Sequence, residues 1–188
     1  MSEAKKNAGF TLIEIIVSMA IFSIVMMGGM GAFFIALKAQ RLVVLEKATA
    51  ESVRFSLEFM SRQMRFAQRS NDTTCLSQVG LTFESSTSSD IRFINGIGEC
   101  ITFTRDSDKF ILYDNTTDLL TANLTNASQV SIDSLEFIII GSTVAPNDLD
   151  QPRVTIVIKA SGGGGTSEAQ EVVLNIQTTV TARKLDVP

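Results

Sequence analysis

Twenty-eight consecutive residues, Phe10 to Leu37, contain a single charged side chain, Glu14. As a helix this run would extend ~42 Å at a rise of ~1.5 Å per residue. That exceeds the ~30 Å hydrocarbon core of a bilayer, so the run can span a membrane. Its composition fits a signal peptide or an ordinary single-pass anchor equally well, and the flanks discriminate between them. A secretory signal has a basic start, an apolar stretch of about 7–15 residues and then a small-residue cleavage site. Here the apolar stretch is too long, and no A-x-A-like site follows it.

What precedes the run is a short polar leader, Met1 to Gly9, carrying Lys5 and Lys6. The junction reads Lys5-Lys6-Asn7-Ala8-Gly9, then Phe10-Thr11-Leu12-Ile13-Glu14-Ile15-Ile16-Val17. This order of basic leader, glycine, phenylalanine, glutamate and unbroken apolar run resembles the prepilin processing motif of type IV pilins and type II secretion pseudopilins. The resemblance covers about the first 35 residues by sequence and is architectural beyond them. It implies that a prepilin peptidase cuts between Gly9 and Phe10 on the cytoplasmic side, and that Phe10 is then N-methylated. It also implies other pilin-type subunits and an inner-membrane assembly platform as partners, with lipid as the environment before assembly.

Glu14 has two readings. Thr11-x-x-Glu14 before an apolar run is a capping-box pattern, in which the carboxylate satisfies a free backbone N–H at a helix start. That role does not explain an ionisable group inside so apolar a run, where such groups are expensive and usually functional. The family resemblance supplies a partner. Cleavage would leave Phe10 with a free amine of pKa about 8, a cation that methylation preserves. Glu14 of one subunit can then neutralise Phe10 of a neighbour in an apolar filament core, where either charge alone would be strongly unfavourable.

Charge is unevenly distributed. Residues 1–69 hold nine Lys/Arg against five Asp/Glu, and residues 70–188 hold seven against fifteen. An acidic head with one tyrosine and no tryptophan is poorly suited to grip phosphates, so no nucleic-acid partner is expected. The chain has no histidine, which removes the side chain most used for proton transfer near neutral pH and the commonest metal ligand. With no recognisable nucleophile setting either, the sequence predicts no enzyme. Lys38 and Arg41 beyond the run offset Lys5 and Lys6 before it, so the positive-inside bias is nearly silent. The leader motif implies a single-pass inner-membrane protein with a cytoplasmic N-terminus and the head outside, later part of a periplasmic or extracellular filament.

No proline occurs before Pro146, so nothing obliges the helix to stop at the membrane. Thr49, Val53, Leu57, Met60, Met64 and Ala67 recur at spacings of three and four and line one face. Phe55, Phe59 and Phe66 form a second stripe, which fits either a helix packed on two sides or one broad core-facing surface. Lys47/Glu51 and Glu58/Arg62 are spaced as i,i+4 ion pairs. Together these patterns predict a helix from Ile13 to Arg69, unusually long for a small globular domain. Gly28, Gly29 and Gly31 interrupt the apolar run at roughly 1 kcal/mol each relative to alanine. They suit either close helix packing or a point at which the anchor melts as a subunit leaves the bilayer.

Beyond Arg69, Ser70-Asn71-Asp72-Thr73-Thr74 should break the helix. Strand-like runs follow at Val79–Glu84, Asp90–Ile94, Glu99–Arg105, Lys109–Asp114, Leu135–Ile140, Arg153–Lys159 and Glu171–Ala182, several with clean alternation. Gly162 to Gly165 reads as a flexible hairpin loop, and Asn115–Val130 as a surface loop. The expected fold class is α+β: a long helix carrying an antiparallel sheet. The expected divisions are 1–9 (leader), 10–37 (anchor), 38–69 (amphipathic spine) and 70–188 (head).

Cys75 and Cys100 read as one disulfide in an oxidising compartment and as two thiols in the cytosol. Asp106-x-Asp108 and Asp148-x-Asp150 could offer oxygen ligands to calcium, but neither completes a calcium-loop pattern, so solvated turns and no cofactor are expected. The four N-x-Ser/Thr triplets at Asn71, Asn115, Asn123 and Asn126 are of a kind common by chance in threonine-rich loops. The irregular head, the basic stretch Arg62–Arg69 and the ending Gln177 to Lys184 look like minor, J-type pseudopilins or related minor pilins, which sit at a filament tip. The competing reading is a membrane-tethered binding or adhesin module that never polymerises.

Overall fold

The computed structural model describes residues 9–107, 111–116, 120–125, 130–142, 150–162 and 172–183. A single α-helix, α1 (Leu12–Arg65), is followed by eight strands. These are β1 (Phe83–Glu84), β2 (Asp90–Ile94), β3 (Cys100–Arg105), β4 (Ile111–Asn115), β5 (Leu120–Asn123), β6 (Val130–Ile140), β7 (Arg153–Gly162) and β8 (Val172–Thr181). The chain divides within α1, between Val43 and Val44, into two compact units.

In the N-terminal unit the described residues are helix and its approach, and their apolar side chains are exposed: Leu12 78 %, Met27 79 %, Ile35 71 %. None of the described residues of this unit removes that surface from water. An apolar window of 18 residues with no buried residue is long enough to cross a membrane.

The unit from Val44 onward has its own core. The predicted apolar face is the buried one: Thr49, Val53, Leu57, Met60, Met64 and, just past the helix, Ala67 are all sequestered. The second stripe is split. Phe59 turns toward the core and meets Phe103 and Tyr113 edge-on, with ring centroids 6.3 and 5.4 Å away. Phe55 and Phe66 remain 62 % and 48 % exposed. Neither Lys47/Glu51 nor Glu58/Arg62 closes as an ion pair within 4.0 Å. Exposed pairs of this kind gain little against the side-chain entropy of holding them.

The antiparallel head consists of two sheets rather than one, ordered β1-β2-β3-β4-β5 and β6-β7-β8. Aromatic residues ten apart cross the first sheet on its inner face: Phe83 on β1, Phe93 on β2, Phe103 on β3 and Tyr113 on β4. Successive rings are 5.8, 5.8 and 5.7 Å apart. Each strand-to-strand step thus brings the next ring into contact, the sheet's main unit of side-chain stabilisation. In the second sheet Val154, Ile156, Ile158 and Ala160 of β7 are buried between alternating neighbours. The sheets join at β6, where a bulge lies between Ile132 and Ser134. There Arg105 Nε donates to the Ile132 carbonyl at 2.8 Å, and the Phe137 N–H donates to the Ser88 carbonyl at 2.8 Å.

Three expectations are corrected. The helix ends at Arg65, not Arg69, because Gln68 bridges to Ile94 and the Ser70 N–H bonds the Leu81 carbonyl. Pairing with the head competes successfully with the helix there. The presumed loop Asn115–Val130 contains β5, whose partner strand β4 supplies the hydrogen bonds that its sequence does not advertise. Gly162 is not loop. It is the last residue of β7, paired to Val130 and Val172 and pressed against Thr49 of α1. Gly163 to Gly165 lie outside the described residues.

Candidate processing and assembly site

Gly9 and Phe10 precede the first helical turn, and both are exposed, Phe10 by 79 %. The Thr11 carbonyl accepts the N–H groups of Glu14 at 3.1 Å and Ile15 at 3.3 Å, so Thr11 stands at the N-cap and Glu14 in the first turn. A carboxylate in that turn complements the positive end of the helix. The reciprocal side-chain bonds of a capping box are not made. Among the described residues the Glu14 carboxylate has no hydrogen-bond or ion-pair partner. The local role considered for it therefore leaves its bonding capacity unspent, one helical turn from the bond whose cleavage would create an ammonium.

Gly28, Gly29 and Gly31 lie inside α1, which runs unbroken through them, and a Cβ added at any of the three would meet nothing within 4 Å. No contact among the described residues requires glycine at these positions. Either use expected of them lies with neighbours outside it.

In the head, Cys75 and Cys100 are joined in a disulfide with Cα atoms 5.6 Å apart. The bond ties the segment leaving the spine to the first residue of β3. Asp106 Oδ1 accepts from the N–H of Ser107 at 2.7 Å, as a turn carboxylate does; Asp108 and Asp148 lie outside the described residues. Among the described residues no group of three or more His, Cys, Asp or Glu could hold a metal.

One cluster escaped sequence reading. Arg62 and Arg65 from the last turn of α1 meet Arg183 from the end of β8, whose N–H donates to the Arg65 carbonyl at 2.9 Å. With Glu58, Phe66 and Gln151 they line a groove of about 780 Å³. The basic stretch was visible in sequence, but the 118 residues separating Arg65 from Arg183 hid their meeting.

The chain matches the model of the prokaryotic N-terminal methylation motif over residues 4–30. No curated protein and no solved structure gives a significant match. The matched residues include the junction Gly9-Phe10, Glu14 and most of the apolar run. From Leu12 onward they lie on one helix long and apolar enough to cross a membrane, and the chain continues into an antiparallel β head, which is consistent with a single-pass, membrane-anchored pilin precursor processed by prepilin peptidase. In that motif and this architecture, the chain is similar to type IV pilins and pseudopilins.

Proposed function

We propose that this chain is a structural subunit of a type IV pilus-like or type II secretion pseudopilus filament, acting in a minor role at the tip or at initiation. It has no catalytic role and needs no cofactor. Cleavage after Gly9 and methylation of Phe10 prepare it in the inner membrane, with its N-terminus cytoplasmic and its head outside. A disulfide in the head supports that side, since such bonds persist in oxidising compartments. Gly28, Gly29 and Gly31 then let the anchor pack or loosen as it moves from lipid into the filament.

The observation that carries this reading is the Glu14 carboxylate, without a partner among the described residues, at the start of the otherwise apolar stretch of α1 that ends at Leu37 and is exposed as far as Ala36. A tether that never polymerised would need neither a leader cut nor an intramembrane carboxylate. Paired with the Phe10 ammonium of a neighbour, Glu14 would set subunit register electrostatically, because misregister leaves two uncompensated charges in an apolar core. Mass spectrometry of the mature protein should show a chain beginning at N-methyl-Phe10. Glu14→Ala should insert and be processed normally but fail to assemble. An intact Met1, or normal filaments from Glu14→Ala, would instead favour the tethered binding module.

A further inference from the structure

We infer that the outer edge of β8 is a docking site for an extended segment of another protein. That segment adds to the second sheet as an antiparallel strand and sets the carboxylates that precede it on Arg62, Arg65 and Arg183. The inference concerns the head alone and goes beyond the filament reading, which stands or falls without it.

A sheet edge offers unpaired N–H and C=O groups to any strand that reaches it, and folds normally blunt it by shortness, charge, proline or a bulge. Among the described strands, three of the four edges are blunted or engaged. β1 and β5, at the two sides of the first sheet, have two and four residues. β6 carries Asp133, Glu136 and the bulge, and it meets the first sheet through Ser88 and Arg105. β8 has none of these devices. Its ten residues contain no charge and no proline, and its register with β7 is unbroken.

The Ala182 N–H donates to the Pro152 carbonyl at 2.9 Å, which fixes the alternation along the strand. Val172, Leu174, Ile176, Thr178 and Val180 turn their backbone groups to β7, and Val173, Asn175, Gln177, Thr179 and Thr181 turn theirs outward. Among the described residues, the outward N–H and C=O groups have no hydrogen-bond partner. The next outward group, the Arg183 N–H, donates to the Arg65 carbonyl at 2.9 Å. The edge is therefore closed where it meets the end of the spine and open from Thr181 back to Val173. Burial on the inner face is incomplete along the same edge. Ile158 and Ala160 of β7 are fully buried, but their partners on β8, Ile176 and Leu174, are only half-buried. A strand alongside would cover them.

The closed end sets the charge of the occupant. Arg62, Arg65 and Arg183 line the groove there with Thr181 and Ala182, and Glu58 is the one carboxylate among the described residues that line it. All three arginines are exposed, and none has an ion-pair partner within 4.0 Å among the described residues. The helix dipole favours cations at Arg62 and Arg65 but gives no reason for a third at Arg183. Guanidinium groups take carboxylates through paired hydrogen bonds, so the occupant carries Asp or Glu where it passes the groove. An antiparallel strand starts beside Thr181 and runs toward Val173, so those acids precede its β-forming residues. In strand addition the main chain supplies affinity and the side-chain pockets supply specificity. A second copy fits poorly. β8 runs beside the spine, from Val172, paired to the Gly162 that presses on Thr49, to Arg183 at Arg65. Antiparallel pairing of β8 with β8 would set two spines antiparallel, whereas subunits growing from one membrane carry their spines parallel.

The probe is a synthetic peptide of two Glu followed by alternating Thr and Val, added to the full processed chain in detergent with its disulfide intact. Amide exchange at Val173, Asn175, Gln177, Thr179 and Thr181 should be fast without the peptide and several-fold slower with it. The amides between them, already bonded to β7, should change little. Replacing the two Glu by Lys, or reversing the groove with Arg62→Glu and Arg183→Glu, should weaken binding by about tenfold or more, because like charges are then brought together. The Lys peptide on the reversed groove should recover the loss. A peptide N-methylated at the residues that face β8 cannot donate to the edge and should not bind. Outward amides that the Glu peptide leaves unchanged, or binding indifferent to the peptide's charge, overturn the proposal. So do outward amides already slow in the free chain, which mean that the chain covers its own edge, and slowing that follows protein concentration without peptide, which means a second copy. None of these outcomes bears on cleavage at Gly9 or on filament assembly.

Discussion

Replacing Gly162 by alanine tests the way the second sheet is held against the spine. An ideal Cβ at this position would lie 2.0 Å from Thr49 Oγ1, 3.1 Å from its Cβ and 3.3 Å from its Cγ2. Thr49 is fully buried, and its hydroxyl donates to the Leu45 carbonyl at 2.9 Å. A side chain with one rotatable bond has few ways to yield. If Thr49 turns away it surrenders that hydrogen bond inside the core, and an unsatisfied buried hydroxyl costs about 1–3 kcal/mol. If the backbone shifts instead, β7 separates from α1, and overpacking of this kind costs about 1–3 kcal/mol. Alanine returns roughly 0.5–1 kcal/mol by restricting the unfolded chain at a strand position. The net expectation is a loss of about 1 kcal/mol. With a urea dependence of about 1–3 kcal/mol per molar, the unfolding midpoint should fall by roughly 0.5 M, measured on the full chain in detergent with its disulfide intact. Thr49→Ala removes the hydroxyl and should recover part of the loss when combined with Gly162→Ala, while Thr49→Ser, which keeps it, should not. An alanine variant as stable as wild type would refute the close approach and return Gly162 to the loop that its sequence suggests.

Removing the disulfide by changing Cys75 and Cys100 to alanine should cost about 3 kcal/mol for a loop of 25 residues, seen as a lowered urea midpoint with the fold otherwise kept. Asn95 is buried and its side chain organises the β2–β3 turn. Its Oδ1 accepts from the N–H groups of Ile97 at 3.1 Å and Glu99 at 2.9 Å, and its Nδ2 donates to Glu99 Oε2 at 2.9 Å. Asn95→Ala should therefore cost about 1–3 kcal/mol and speed amide exchange at Ile97 and Glu99. Within the same turn Gly98 has φ +90°, so Gly98→Ala should lower the thermal midpoint despite the open space around it. Ser142 Oγ accepts from the Phe83 N–H at 2.9 Å and ties β1 to the end of β6; Ser142→Ala should cost about 1–3 kcal/mol and expose the Phe83 amide to exchange.

The legible parts of this chain are those where one physical rule decides. The buried face of the spine follows helical periodicity from Thr49 to Ala67 and needs nothing but a core to pack on. Strands β2, β3 and β7 alternate cleanly because one of their faces is buried. The Gly9-Phe10 junction with Glu14 is legible for a different reason, as a chemical motif read on the extended chain. Sequence reasoning fails where a partner far along the chain settles the outcome. β5 is recruited by β4, and Gln68 leaves the helix for Ile94. β6 begins at Val130, ahead of the expected Leu135, because the bulge after Ile132 lets Ser131 and Ile132 pair with Ser161 and Ala160 in a shifted register. The split between Phe59 and its neighbours Phe55 and Phe66 was likewise invisible, since a stripe of aromatics does not reveal which rings find partners.

The exposed residues of α1 are where fold and function meet. Burial explains Val53, Met60 and Met64, and removing any of them would leave a cavity in the core. It explains neither the apolar surface from Phe10 to Ile35 nor Phe55 and Phe66, which find no cover within their own units. Exposed apolar surface on this scale marks a membrane or a protein partner. The two stretches differ in how selective that partner must be. Lipid can cover the first without reading its sequence, but a lone charge at Glu14 is costly there, and on the proposed assembly a second subunit's cation would offset that cost. The second stands in water among the exposed charges Lys47, Glu51, Glu58 and Arg62, so whatever covers it must accommodate charge as well as apolar surface. On the assembly proposed above, register would be set at the membrane end by one desolvated pair, Glu14 with the Phe10 ammonium of a neighbour. A buried pair is screened little by salt, so raised ionic strength should leave assembled filaments intact, and dissociation by salt alone would count against that pairing.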